Sequence, residues 1–250
     1  MLVDVKTQVK LLVQQVVEAY LKEKMDPKKD TPITILLGYH SSDPITVLEA
    51  VTQLVDTYNV TWLITKEWLP LQEKMKGLSC VLLEEMSDED LGTLIDQSSV
   101  LVIPQASYGL LSKLALTVDD ETAAWVAIQY QLKGKPIVIA NNGVEPNVYQ
   151  QIHAPQTVQE RIQSYIRRIQ MDQVKWVPLS KLVNTVDEQY AAYLDKQSLV
   201  LAKHVERAFQ EGLKEIEIPQ KSRVTPSAID LAKELKIQFK PIDSSKGGTL

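Results

Sequence analysis

The spacing of hydrophobic positions changes period several times along the chain. At 5–24, Val5, Val9, Leu12, Val16 and Tyr20 recur at helical spacing, with Lys6, Lys10, Gln14, Glu18 and Lys22 opposite them. That spacing predicts an amphipathic helix. The stretch MDPKKDTP at 25–32 has two prolines and no apolar run, and reads as a linker. From residue 33 onward, short apolar runs alternate with helical patterns. ITILL (33–37), VTWLI (60–64), CVLL (80–83), VLVI (100–103) and PIVIA (136–140) predict five strands. Val47, Val51, Leu54 and Val55 predict a helix over 44–57, and Ser87 is placed to cap a short one over 87–95. The Ala- and Leu-rich stretch 108–133 predicts one long helix. Continuous apolar strands separated by helices define a parallel sheet covered on both faces. The class is a doubly wound α/β fold, flavodoxin- or Rossmann-like, with a helical C-terminal extension.

Beyond residue 150 the pattern shifts to charge-rich helices, predicted at 156–172 and 182–213. IEI (216–218) and IQF (237–239) predict a strand pair around a helix at 226–236. Thr225 would cap that helix, and Pro226 would take its first turn, where a missing N–H costs nothing. Three segments follow: a helix and linker at 1–30, an α/β domain at 31–150, and a helical extension with a small β-α-β tail at 151–250. The last residues, SSKGGTL at 244–250, read as a loose end.

Composition narrows the function classes. In 250 residues, 44% are hydrophobic, enough for a buried core, and 27 basic against 32 acidic residues leave a net charge of −5. There is no basic stripe or arginine run to hold nucleic acid. No apolar run is long enough to span a membrane. The single cysteine, Cys80, excludes an intrachain disulfide and suits a reducing compartment. The N-terminus lacks a signal peptide's uninterrupted apolar core. The expected location is therefore cytoplasmic.

In a doubly wound sheet, ligands bind beyond the carboxyl ends of the strands. Those ends are residues 38–43, 104–113 and 141–146. After the first strand, Gly38, Tyr39, His40, Ser41 and Ser42 offer a tight turn and hydroxyl donors beside a helix start, a setting for a phosphate. The same loop also reads as an ordinary turn in which Asp43 caps a helix that Pro44 opens. After the fourth strand, Ser107 begins a helix and Lys113 follows six residues later. Ser107 could contact a phosphate or a flavin ring edge, or simply cap a core helix. His153 and His204 lack partners at metal-ligand spacing, and no metal site is expected. Asp119, Asp120 and Glu121 read as a solvated face or a helix start. Cys80 reads as a buried, inert thiol, Trp62 as core, and Trp125 as a subunit-contact aromatic.

The order strand, P-x-A-S, helix with K-L-A-L and an acidic residue, then L-K-G-K-P-I-V-I-A resembles the flavoprotein family of flavin-containing cysteine decarboxylases. The resemblance spans roughly residues 31–150. It implies FMN as cofactor and a homo-oligomer, trimeric or built from trimers. It also implies Gly38 and Ser41 near the FMN phosphate, Ser107 in the loop after the fourth strand, and Lys113 and Asp119 at the later basic and acidic positions. The Asn141–Asn142–Gly143 turn would lie by the flavin ring. The chain departs from the family's pattern at Gly109 and Leu110, at Thr117, and in the run A-N-N-G-V-E-P. The decarboxylase histidine has no match, since His40 sits in the phosphate loop.

The C-terminal I-P-x-K-S-R-V-T-P-S-A-x-D-L-A-K-E-L-K-I resembles a tail found on bacterial microcompartment-associated proteins. The tethered helix at 5–24 resembles segments that target cargo to such shells. Together they imply shell or cargo proteins as partners and a place inside a microcompartment. The reading expected first is an FMN-binding flavoprotein with a redox or flavin-handling accessory role. A non-catalytic scaffold that keeps the fold without the cofactor, and a decarboxylase on an unknown substrate using His40 with Asn141 or Asn142, are the alternatives.

Overall fold

The computed structural model describes residues 28–75, 79–144 and 152–242. The helix predicted at 5–24 and the tail at 244–250 lie outside the described residues. The chain divides into two compact units, 1–186 and 187–250, and each is treated by itself.

The first unit is built on six parallel strands: β1 (Pro32–Leu37), β2 (Asn59–Ile64), β3 (Ser79–Leu82), β4 (Val100–Ile103), β5 (Ile137–Ala140) and β6 (Lys175–Val177). Their order is β3-β2-β1-β4-β5-β6. β1 sits at the centre, with Ile33 in register with Val60 of β2 and with Val100 of β4. Helices α1 (Pro44–Thr57), α2 (Asp88–Gln97), α3 (Tyr108–Leu116), α4 (Thr122–Leu132) and α5 (Gln156–Met171) cover the sheet.

The apolar strands read as continuous runs because both of their faces are buried. Leu36, Leu63, Leu101, Ile103, Ile137 and Ile139 pack in one cluster with Leu91, Ile95, Leu110, Leu114, Ala127 and Ile169 of α2 to α5. Alternation along each strand sends Ile35, Trp62, Val102 and Val138 to the opposite face, and all four are buried. The core also holds a polar pair, since the Tyr130 hydroxyl donates to Thr34 Oγ1 at 3.0 Å. Burial pushes the Tyr130 phenol up to about 12, against the lowering effect of its hydrogen bonds with Ser98 and Thr34.

Three differences from the sequence reading have local causes. The single helix expected at 108–133 is two helices, because Thr117 takes a left-handed conformation (φ 55°, ψ 49°) that ends α3. The expected helix at 182–213 is also interrupted. After α6 (Leu182–Leu194), Leu199–Val200 forms β7 and pairs with β9 (Arg223–Val224), and α7 (Ala202–Gln210) follows. The α/β unit also continues past residue 150. β6 pairs with β5 and α5 adds Ile166 and Ile169 to the core, so the unit runs to Val186.

The second unit contains the expected strand pair. β8 (Glu215–Pro219) and β10 (Gln238–Ile242) run parallel, and α8 (Pro226–Leu235) lies between them in sequence. Thr225 accepts from the Ala228 N–H at the start of α8, with Pro226 in its first turn. Val205 and Ala208 of α7 pack on Ala228 and Ala232 of α8 and on Ile237.

One lysine closes a helix end in the first unit. Lys135 Nζ donates to the carbonyls of Ile95 (2.6 Å), Asp96 (2.8 Å) and Ser98 (2.7 Å) at the C-terminus of α2. These acceptors have no intrahelical partner. Replacing Lys135 with methionine keeps the packed stem and removes the donor. Stability in a urea titration is expected to fall by about 1–3 kcal/mol. A change below about 0.5 kcal/mol, the range of ordinary surface substitutions, would show that water replaces the ammonium freely.

Candidate functional site at the carboxyl ends of the strands

The strand order reverses between β1 and β4. The chain leaves β1 for β2 on one side and leaves β4 for β5 on the other. The loops after these two neighbours therefore flank a crevice, the usual ligand position in an open parallel sheet.

The β1 loop is held from three sides. Gly38 packs against α4 so closely that an added Cβ would stand 2.8 Å from the Ala123 Cβ. Trp68, buried in the 3-10 turn Lys66–Lys74, donates from Nε1 to the Tyr39 carbonyl at 3.0 Å. Ser41 is buried, and its Oγ accepts the Asp43 N–H at 3.2 Å. His40 and Ser42 are exposed. Asp43 caps α1: Oδ1 accepts the Thr46 N–H at 3.2 Å and Oδ2 accepts the Thr46 hydroxyl at 2.6 Å. These two bonds hold the Asp43 carboxyl below its usual value. The ordinary turn foreseen for Asp43 and Pro44 is thus present.

After β4, Ser107 caps α3, its Oγ accepting the Leu110 N–H at 3.0 Å. One residue not singled out in the sequence, Gln105, shapes this loop together with Gly143. Gln105 is buried, and its Oε1 accepts from Asn142 Nδ2 at 3.1 Å. The amide ties the β4 loop to the β5 loop. Gly143 presses against the same point, where an added Cβ would stand 2.4 Å from the Ala106 carbonyl oxygen. Asn141 is buried, and its N–H donates to Val177 O of β6 at 2.9 Å.

Lys113 does not stand free for a phosphate. Its Nζ pairs with Asp120 at 2.9 Å and Glu121 at 2.7 Å, across the turn that Thr117 opens. Both carboxylates raise the Lys113 pKa. Asp119 and Asp120 are exposed and Glu121 stands at the start of α4, as the sequence allowed, and Asp120 and Glu121 are in addition ion-pair partners of Lys113.

Tyr39 faces this turn. Its hydroxyl oxygen is buried without a completed hydrogen bond, although the Glu121 carboxylate stands near it. Burial first, then the charges of Glu121 and Asp120, push the phenol well above its usual value near 10. Elsewhere, Cys80 is half-buried on edge strand β3, where burial raises its thiol pKa. His204 Nδ1 accepts the Leu201 N–H at 3.1 Å, and His204 and His153 are both exposed. Among the described residues no group of three or more His, Cys, Asp or Glu side chains could hold a metal ion. No described helix is long and apolar enough to cross a membrane.

The fold defined by this order and crevice is a doubly wound α/β fold, and solved structures share it. One is the FMN-dependent cysteine decarboxylase TvaF from thioviridamide biosynthesis, with a TM-score of 0.50 and 13% identity. The match covers 64% of this chain and 98% of that one. Another is DmrB of Burkholderia xenovorans in complex with FMN, described as a cubic protein cage for redox transfer. Its TM-score is 0.50 and its identity 16%, over 67% of this chain and 98% of that one. At these identities the likeness is one of fold. No family profile and no curated protein matches the chain.

The raised Tyr39 pKa has a defined consequence for stability. The unfolded phenol loses its proton near pH 10 and the folded one only at higher pH. The stability held by the protonated form is complete below pH 10 and is lost as pH climbs above it. Unfolding free energy is expected to decline above pH 10, less steeply in Tyr39→Phe, with Tyr130 and Tyr193 among the other raised groups that contribute. An identical slope in parent and variant would show that Tyr39 ionises normally.

Proposed function

We propose that this chain is a flavin-binding protein whose cofactor lies in the crevice between the ends of β1 and β4. The form that the sequence resemblance implies is FMN. The activity is a redox or flavin-handling accessory role rather than cysteine decarboxylation, given the departures at Gly109, Leu110 and Thr117. The observation that carries the reading is the reversal of strand order between β1 and β4. FMN-dependence in TvaF and FMN binding in DmrB, on the same fold, support it.

The residues fit one end of a flavin better than the other. The Tyr39 hydroxyl, the Ser107 hydroxyl and the amides of Gln105 and Asn142 are neutral donors and acceptors suited to the ring edge and the sugar chain. Burial of the Tyr39 hydroxyl without a completed bond leaves a polar group that a ligand would satisfy. The phosphate end is poorly served, because Asp43 caps α1 and Lys113 is paired. A bound flavin would supply electron transfer, which these side chains do not.

A second reading, a scaffold that keeps the fold without the cofactor, is favoured by Gly143. Its contact with Gln105 and Ala106 draws the β4 and β5 loops together on one side of the crevice. The two readings separate in an absorbance spectrum from 300 to 550 nm, taken after incubation with flavin and removal of the excess. The flavin reading expects two retained bands, and a colourless protein selects the scaffold.

We propose further that the chain works as a homo-oligomer, trimeric or built from trimers. The cage described for DmrB and the exposure of Tyr108 and Leu116 on α3 support this. Cytoplasmic location and association with a microcompartment shell rest on the sequence alone. Deleting residues 1–24 is expected to abolish co-purification with shell proteins while leaving the melting temperature unchanged. Undiminished co-purification would remove the shell from the proposal.

A further inference from the structure

We infer that the β1 loop selects against phosphorylated ligands, because Asp43 fills the helix N-terminus at the crevice with the chain's own carboxylate. The inference rests on the flavin reading above and deepens it. The ligand that fits is a flavin whose sugar end carries no charge, riboflavin rather than FMN.

A mononucleotide phosphate is normally held at the first βα turn by backbone N–H groups of the following helix. Here two of the first three helical positions offer no free N–H. Pro44 at the first position has no N–H. The N–H and the hydroxyl of Thr46 go to Asp43. The N–H of Asp43 goes to Ser41, whose buried oxygen is then committed as an acceptor. No cation offsets this arrangement from the α3–α4 turn, where Lys113 is shared by Asp120 and Glu121. A phosphate entering the loop would meet Asp43 as a like charge, with Asp120 and Glu121 outnumbering Lys113 beyond it. The neutral groups of the crevice, the Gln105 and Asn142 amides, carry no such penalty. Asp43 therefore acts as a specificity determinant, rejecting the phosphate rather than recognising the ring.

The test compares the full chain with Asp43→Asn and Asp43→Gly. Asparagine caps a helix about as well as aspartate and removes only the charge, and glycine costs little and frees the Thr46 N–H. Dissociation constants for riboflavin and FMN are measured at low ionic strength by quenching of flavin fluorescence. The parent is expected to bind riboflavin at least as tightly as FMN. Asp43→Asn is expected to tighten FMN by about tenfold, the scale of removing one like charge at a solvated site, with riboflavin unchanged. FMN preferred tenfold or more by the parent, or an unaltered ratio in both variants, overturns the inference and leaves the flavin reading standing. If the parent binds neither flavin, the flavin reading fails. The rejection of phosphate is then decided by inorganic phosphate alone. Phosphate should raise the melting temperature of Asp43→Gly and leave the parent's unchanged, and equal shifts in the two overturn it.

Discussion

The central position of β1 governs the molecule. It is the strand with a parallel neighbour on each side whose connections run in opposite directions, so its carboxyl end is the place where loops part and a crevice opens. Its buried residues, Ile33, Ile35, Leu36 and Leu37, are fully enclosed because helices lie on both faces. The same enclosure favours apolar side chains on the strands, with Thr34 tied to Tyr130 as an exception, and leaves chemistry to the loops. Gly38 marks the transition, since α4 approaches the strand end too closely for a side chain.

The polar groups at that end are tied mainly to one another. Asp43 serves α1, Ser107 serves α3, Gln105 serves Asn142, and Lys113 serves the acidic turn. Such internal satisfaction stiffens the loops and lowers the number of groups available to a charged ligand. Tyr39 is the exception, a buried hydroxyl beside carboxylates that keep it protonated. The crevice is thus neutral where it is open and negative at its margin.

Much of the fold was legible in the chain because β1 to β5 are short, largely apolar runs, three of them ended by Gly38, Pro104 and Asn141. The caps at Asp43, Ser87, Ser107 and Thr225 were legible for a related reason, since a cap acts on residues two or three positions away. What escaped depends on distance. β6 has three residues, opens with Lys175, and is a strand only because β5 lies beside it. The break at Thr117 places a β-branched residue in a left-handed conformation, against its local preference. Lys113 reaches carboxylates across that break, so a helix continued through 117 gave no hint of the pair. Gln105 and Trp68 act on Asn142 and Tyr39, partners 37 and 29 residues away, and no spacing rule reports such contacts.

The central place of β1 also sets a timetable for synthesis. The β4 partner of Ile33, Val100, follows only after residues 34–99 have been made. At the usual pace of translation, about 5–20 residues per second, that interval lasts roughly 3–13 seconds. During it, one edge of a largely apolar strand has no partner. Until β4 is made, that edge of β1 presents unpaired backbone N–H and C=O groups to any extended chain it meets.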